Sequence, residues 1–191
     1  MINRAEIKAD AKDKIKGKIL PIFIIGVVYF VVMTVLGFTM IGALVLEGAF
    51  YIALIAIFLN LAKSKKEPEV KDLFTTMTTK DIARGFFAYI RLTFFTFVWS
   101  LLFVIPGIVK SIAYSQMFYL LADNEDMTAA EAQKKSIEMM RGHKWEYFVL
   151  NLSFIGWAIL ALFTFGLLYI WLMPYMEATL ANYYLKLKKE A

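Results

Sequence analysis

Hydrophobic and polar positions alternate in long blocks along the chain. Apolar runs cover residues 19–40, 45–62, 86–105, 107–122, 146–165 and 167–185. Polar, charged stretches cover 1–18, 63–85, 123–145 and 186–191. Each apolar run is long enough, or nearly so, to cross a bilayer as a helix. The first polar stretch, "NRAEIKADAKDKIKGK", has Ile7, Ala11 and Ile15 at i+4 spacing behind an Asn3/Glu6 start that resembles a capping box. It predicts a helix lying along headgroups, or else a solvated leader to the first run. Val70, Leu73, Phe74 and Met77 predict a short amphipathic helix. "TAAE" at 128–131 is a capping box, and its helix is expected to reach Arg141 and stop at Gly142.

The stretch 104–124, "VIPGIVKSIAYSQMFYLLADN", decides the topology. Nineteen of the 21 basic residues fall in the four polar segments, and the expected turns near 41–47 and 164–166 carry none. If 107–122 crosses, there are six spans. The positive-inside tendency then puts all four basic segments in the cytoplasm. With five spans, two basic segments end up outside. The expected fold is therefore all-α and polytopic: a single integral membrane domain of six transmembrane helices arranged as three hairpins. Both termini face the cytoplasm, and the cytoplasmic segments form amphipathic helices. Pro106 and Gly107 are expected to make the outer hairpin turn. A hairpin dipping in from the cytoplasmic face also fits the charges. The sixteen residues of 107–122 would rise only about 24 Å as a helix.

Composition agrees with this reading. Sixty per cent of the residues are hydrophobic, with 17 Phe, 10 Tyr and 4 Trp. A soluble domain of 191 residues cannot bury that much apolar side chain. The net charge of +5 arises beside apolar runs, so it argues for membrane orientation rather than nucleic-acid binding. Without cysteine, neither a disulfide nor a thiolate site is expected. No cleavable leader is recognised, and the first apolar run is expected to stay as an anchor.

Ionisable residues inside apolar runs draw attention, because hydrocarbon penalises charge. Arg91 and Glu177 lie at compatible depths and are expected to form an intramembrane ion pair, either bridging helices or lining a polar cavity. Glu47 and Lys110 are expected to pair at the outer face, and Pro174 to kink the last helix. Trp145, Tyr147, Trp171 and Tyr183 are read as interfacial anchors. Asn60, Gln116, Asn151 and Asn182 are read as interhelical hydrogen-bonding amides, with Ala49 and Ala53 as a small-residue packing face. Asp123, Glu125 and Asp126 read as the acidic start of the following helix. His143, the single histidine, has no evident metal or catalytic partner. No nucleotide-binding or hydrolase motif is present. No enzyme activity, cofactor or metal is expected.

"IPGIVKSIAYSQMFYLLADN", "TAAEAQKKSIEMMRGHKWEYF", "LSFIGW" and "WLMPYMEATLANYY" together resemble a family of prokaryotic integral membrane proteins labelled domain of unknown function nine-seven-five. Glu125 stands where that pattern has proline. The family is in turn distantly similar to the membrane domain of some glycerophosphodiester phosphodiesterases. The resemblance implies a multi-pass fold in a prokaryotic plasma membrane and no assigned activity. Three functions are compared on this basis. The first is a non-enzymatic membrane module acting in transport, envelope homeostasis or peptide resistance. Its basic segments would meet anionic lipid headgroups, a protein partner or a second copy. The second is a small transporter or channel with a polar layer at Arg91 and Glu177. The third, an intramembrane enzyme, lacks a nucleophile–base set.

Overall fold

The structure is a computed structural model, and it describes residues 3–64, 67–75, 79–102 and 104–190. Its described elements are all helical. They are α1 (Arg4–Ile15), α2 (Ile19–Gly37), α3 (Met40–Ser64), α4 (Asp72–Thr75), α5 (Thr79–Leu102), α6 (Val104–Tyr114), α7 (Met117–Asp123), α8 (Ala129–Met139), α9 (Lys144–Phe163) and α10 (Tyr169–Glu190). Among the described residues, four stretches are long and apolar enough to cross a membrane: Ile19–Gly37, Leu44–Lys63, Lys80–Trp99 and Lys144–Phe163. Sequence neighbours pack as hairpins, α2 on α3, α5 on α6, and α9 on α10. The central element is α3, which packs on α5, α7, α10 and α2.

Local signals explain most helix ends. The Asn3 side chain accepts from the Ala5 N–H at 3.1 Å and opens α1. Thr128 and Glu131 close the expected capping box at the start of α8. Gly142 takes a positive φ of 81° just beyond that helix, a backbone state that suits glycine. The expected turn after α9 is present too, with Phe165 and Gly166 at φ 50° and 84°.

Several expectations are corrected. Residues 41–47 are helical, and the α2–α3 turn lies at Phe38–Thr39. Pro106 and Gly107 lie in the first turn of α6 and do not form the hairpin turn. Proline is tolerated there because N–H groups of a first turn have no intrahelical acceptor. Residues 107–122 are not one helix, since α6 and α7 are separated at Ser115–Gln116. The segment 167–185 lies mostly in α10, which is long and continuous but is not among the four most apolar stretches. Pro174 sits inside α10 and is buried. Ile7, Ala11 and Ile15 do form one face, yet that face is fully buried because α1 docks on α10 rather than on headgroups. Of the helix expected around Val70–Met77, the described residues give α4 with Leu73 buried, and Met77 lies outside the described residues.

Two glycines set the tightest helix crossing. Gly48 of α3 and Gly85 of α5 meet backbone to backbone, so a Cβ on either would run into the other chain segment. Ala49, Ala53 and Ala88 are buried nearby. Small residues allow such close approach, and dispersion between backbones then holds the helices together.

Candidate functional site

Arg91 and Glu177 do not meet. Arg91 Nε donates to Gln133 Oε1 at 2.9 Å, and its guanidinium carbon lies 5.5 Å from the centre of the Phe95 ring. The reason is packing. The neighbours of α5 are α3, α6, α7 and α8, while those of α10 are α1, α2, α3 and α9. The central helix α3 therefore stands between the two residues, and α8 supplies Arg91 with a buried amide. No sequence periodicity announced Gln133 as that partner.

Around Glu177 the surroundings are aromatic. Its carboxylate is within electrostatic range of Tyr29 of α2, Tyr51 of α3, Tyr119 of α7 and Tyr147 of α9. Among the described residues, no lysine, arginine or histidine forms an ion pair with it. The tyrosines are held by rings of their own. Tyr51 meets Phe118 edge-on at 4.9 Å, Tyr119 stacks on Tyr184 at 5.5 Å, and Tyr147 lies 5.3 Å from Tyr183.

Tyr51, Tyr119 and Tyr147 also form the inner wall of an open cavity of about 590 Å³. Its lining also includes Tyr114 of α6 and the side chains of Thr93, Thr96, Ser111 and Ser115. Thr96 Oγ1 is buried without a hydrogen-bond partner. The break between α6 and α7 borders this cavity at Ser115. Ser136 of α8 secures the break: its hydroxyl accepts from the Gln116 N–H at 3.2 Å and donates to the Ala113 carbonyl at 2.8 Å. The Gln116 amide donates to Ser115 Oγ at 2.9 Å, while its Oε1 has no partner. Non-helical backbone within apolar surroundings persists where protein groups satisfy it or where it lines a cavity.

A second polar region ties the charged segments together. Asp123, with its side chain only 3% exposed, receives Lys63, Lys188 and, at 2.9 Å, the Tyr184 hydroxyl. Burial pushes the Asp123 carboxyl up, but hydrogen bonds from Lys188, Lys63 and Tyr184 outweigh it and hold the group at about 2, below the usual 3.8. Asp123 thus ends α7 rather than starting α8. Arg84 covers the same chain turn, donating to the carbonyls of Leu121 (2.8 Å), Met127 (2.7 Å) and Asn124, and pairing with Asp81 at 2.9 Å. Lys14 of α1 reaches the Ala62 carbonyl and Asn182 Oδ1 (3.0 Å), and Lys186 pairs with Glu6 at 2.7 Å. Asp126 faces Lys80 at 3.6 Å on the surface.

The other expected groups separate as follows. Glu47 accepts from the Tyr89 hydroxyl, while Lys110 Nζ sits 4.4 Å above the Trp99 ring, so the two do not pair. An aromatic face offers an ammonium group an electrostatic partner without a carboxylate. Of the expected anchors, Trp145 is 72% exposed, whereas Tyr183 is fully buried and its hydroxyl donates to the His143 carbonyl at 3.3 Å. Tyr147 belongs to the cavity, and Trp171 stacks on Tyr175 at 4.9 Å. His143 does have neighbours: its Nδ1 is 3.2 Å from Glu146 and its Nε2 4.0 Å from Glu190.

Comparison with curated proteins gave no match, and comparison with solved structures gave none either. The likeness to glycerophosphodiester phosphodiesterases is thus not shown. A family model described as "Protein of unknown function (DUF975)" does match, over residues 100–191, so the carboxy-terminal part of the chain is similar to that family.

Proposed function

We propose that this chain is a multi-pass protein of a prokaryotic plasma membrane, and that it is a non-enzymatic module holding a lipid-like amphiphile in the cavity between α3, α5, α6, α7, α9 and α10. In this reading the apolar segments cross as three hairpins, with α6 and α7 together forming one crossing of six. The four basic segments lie in the cytoplasm, where they suit anionic headgroups. The ties linking Glu6, Lys14, Lys63, Arg84, Asp123 and Lys186 support that arrangement by gathering all four segments at one end.

The observation that carries the reading is the cavity itself. At about 590 Å³ it is within the usual size of small-molecule sites. Its walls are mainly aromatic, with a few hydroxyls, and its rim residues Thr93 and Phe97 are exposed on the outer surface of α5. A polar layer for transport would need Arg91 and Glu177 on one path, and they face different partners.

The test is extraction into native-lipid nanodiscs followed by mass spectrometry of the retained molecules. Ser111→Trp places an indole across the cavity. One lipid class enriched with the wild type and lost with Ser111→Trp is the expected result. The same retained molecules in both would overturn the reading.

A further inference from the structure

We propose that the cavity takes an organic cation, an ammonium group on an apolar body, held by the faces of Tyr51, Tyr119 and Tyr147 with the Glu177 carboxylate as counter-ion. This deepens the amphiphile-binding reading and rests on it.

Four elements bring one tyrosine each to the cavity wall: Tyr51 from α3, Tyr114 from α6, Tyr119 from α7 and Tyr147 from α9. Of these, Tyr51, Tyr119 and Tyr147, together with Tyr29 of α2, lie within electrostatic range of Glu177. Glu177 precedes Leu180 by three residues, so the two share a face of α10, and Leu180 lines the cavity. The carboxylate therefore lies behind the tyrosine wall.

The nearby cations are committed elsewhere. Arg91 is bound to Gln133, and Lys14 to Asn182 and the Ala62 carbonyl. Lys8 sits over Phe154, and Lys12 over Tyr175 and Trp171. An ionised carboxylate in apolar surroundings is unfavourable until a cation or donor joins it. Aromatic faces add attraction for weakly hydrated cations. That combination selects charge and chemistry together. An anion finds no lysine or arginine among the cavity-lining residues. A hard metal ion asks for six or so oxygen ligands, and a single carboxylate behind ring faces does not provide them.

The experiment uses the full chain in nanodiscs, titrated by calorimetry with benzyltrimethylammonium and, separately, with its neutral carbon isostere neopentylbenzene. Empty nanodiscs provide the partition baseline. The wild type is expected to bind the cation at least tenfold more tightly than the isostere. Glu177→Gln is expected to remove most of that preference while keeping affinity for the isostere. Equal affinity of the wild type for both probes would overturn the inference. So would a cation affinity unchanged in Glu177→Gln. If that variant does not fold, the two-probe comparison on the wild type still decides. Ser111→Trp separates the two readings. If it expels the retained lipid while the wild type shows no cation preference, only the cation inference falls. If it changes neither lipid retention nor probe binding, the cavity reading falls too.

Discussion

Two carboxylates in this molecule have opposite surroundings. Asp123 ends α7 among charged segments and collects two ammonium groups and a phenol. Glu177 lies within α10 among tyrosines and has no cation beside it in the described residues. The first is a closed arrangement: its donors come from α3 and α10, so it joins three helices and leaves little for a ligand to add. The second is open, with a charge-bearing group and aromatic faces but no internal partner. A charge that is fully paired reads as structure, and a carboxyl in apolar surroundings without a cation partner reads as a place for something else.

Both carboxylates depend on the position of α3, so the largest expected effect comes from the glycine crossing. Gly85→Val puts a branched side chain against the backbone of Gly48 and Ala49. The helices must separate, at a cost of about 3 kcal/mol or more. Loss of a monodisperse peak in size-exclusion chromatography is the expected outcome. A well-folded Gly85→Val protein would show that the crossing does not set the frame shared by the two sites.

Next in size is Asp123→Asn. It keeps the shape and removes the charge that Lys63 and Lys188 share, and a loss of about 2 kcal/mol is expected. Thermal unfolding in detergent measures it. The pH dependence has a definite sign. The Asp123 carboxyl titrates at about 2 when folded and near 3.8 when free. Its contribution is therefore complete above about pH 4 and disappears as the pH falls toward 2. The difference in stability between wild type and Asp123→Asn should shrink across that window. A difference that stays constant down to pH 2 would mean that Asp123 is not the hub.

How far the sequence foretold this contrast depends on range. The capping box at Thr128 and the turn near Phe165–Gly166 are local, set by the residues that form them, and each is where the pattern put it, whereas α8 ends at Met139, two residues short of Arg141, with Gly142 in the turn beyond it. The long apolar runs likewise give the hairpin order. The break at Ser115–Gln116 was not legible, because hydropathy is continuous across it and its fastening, Ser136, lies 20 residues away on another helix. Pro106–Gly107 fits a turn and a helix start equally well by propensity. Charge and depth favour an ion pair of Arg91 and Glu177, but depth does not say which helices touch, and α3 stands between them. The cavity tyrosines come from separate helices and are spaced irregularly, so no period exposes them. Asp123 was legible only as an acidic residue at a helix boundary. Its assignment to the end of α7 needed the lysines of α3 and α10 in view.

A smaller effect tests the Arg91 half of the failed pairing. Arg91→Leu leaves the buried Gln133 amide without its donor, and about 1 kcal/mol of stability should be lost. The double exchange Arg91→Glu with Glu177→Arg should be no more stable than the sum of its single changes, because the two sites share no direct contact. A rescue by the double exchange, read as recovered expression and thermal stability, would restore the ion pair and remove the contrast between closed and open carboxylates.

The smallest expected effect is the most telling. Glu177→Gln replaces a carboxyl that forms no ion pair with any lysine, arginine or histidine among the described residues. Losing it should leave stability within about 0.5 kcal/mol of the wild type, or raise it slightly, since the desolvation cost of the charged form disappears. Asp123→Asn moves in the other direction although both changes replace one acid by its amide. Thermal unfolding of the two variants in the same detergent compares them directly. A ligand refines the measurement further. If an organic cation occupies the tyrosine wall, adding benzyltrimethylammonium should stabilise the wild type and leave Glu177→Gln unmoved, because ligand binding to the native state alone raises stability by mass action. A large loss of stability in Glu177→Gln without any ligand would make Glu177 a structural residue like Asp123, and the two carboxylates would then differ in their partners but not in their purpose.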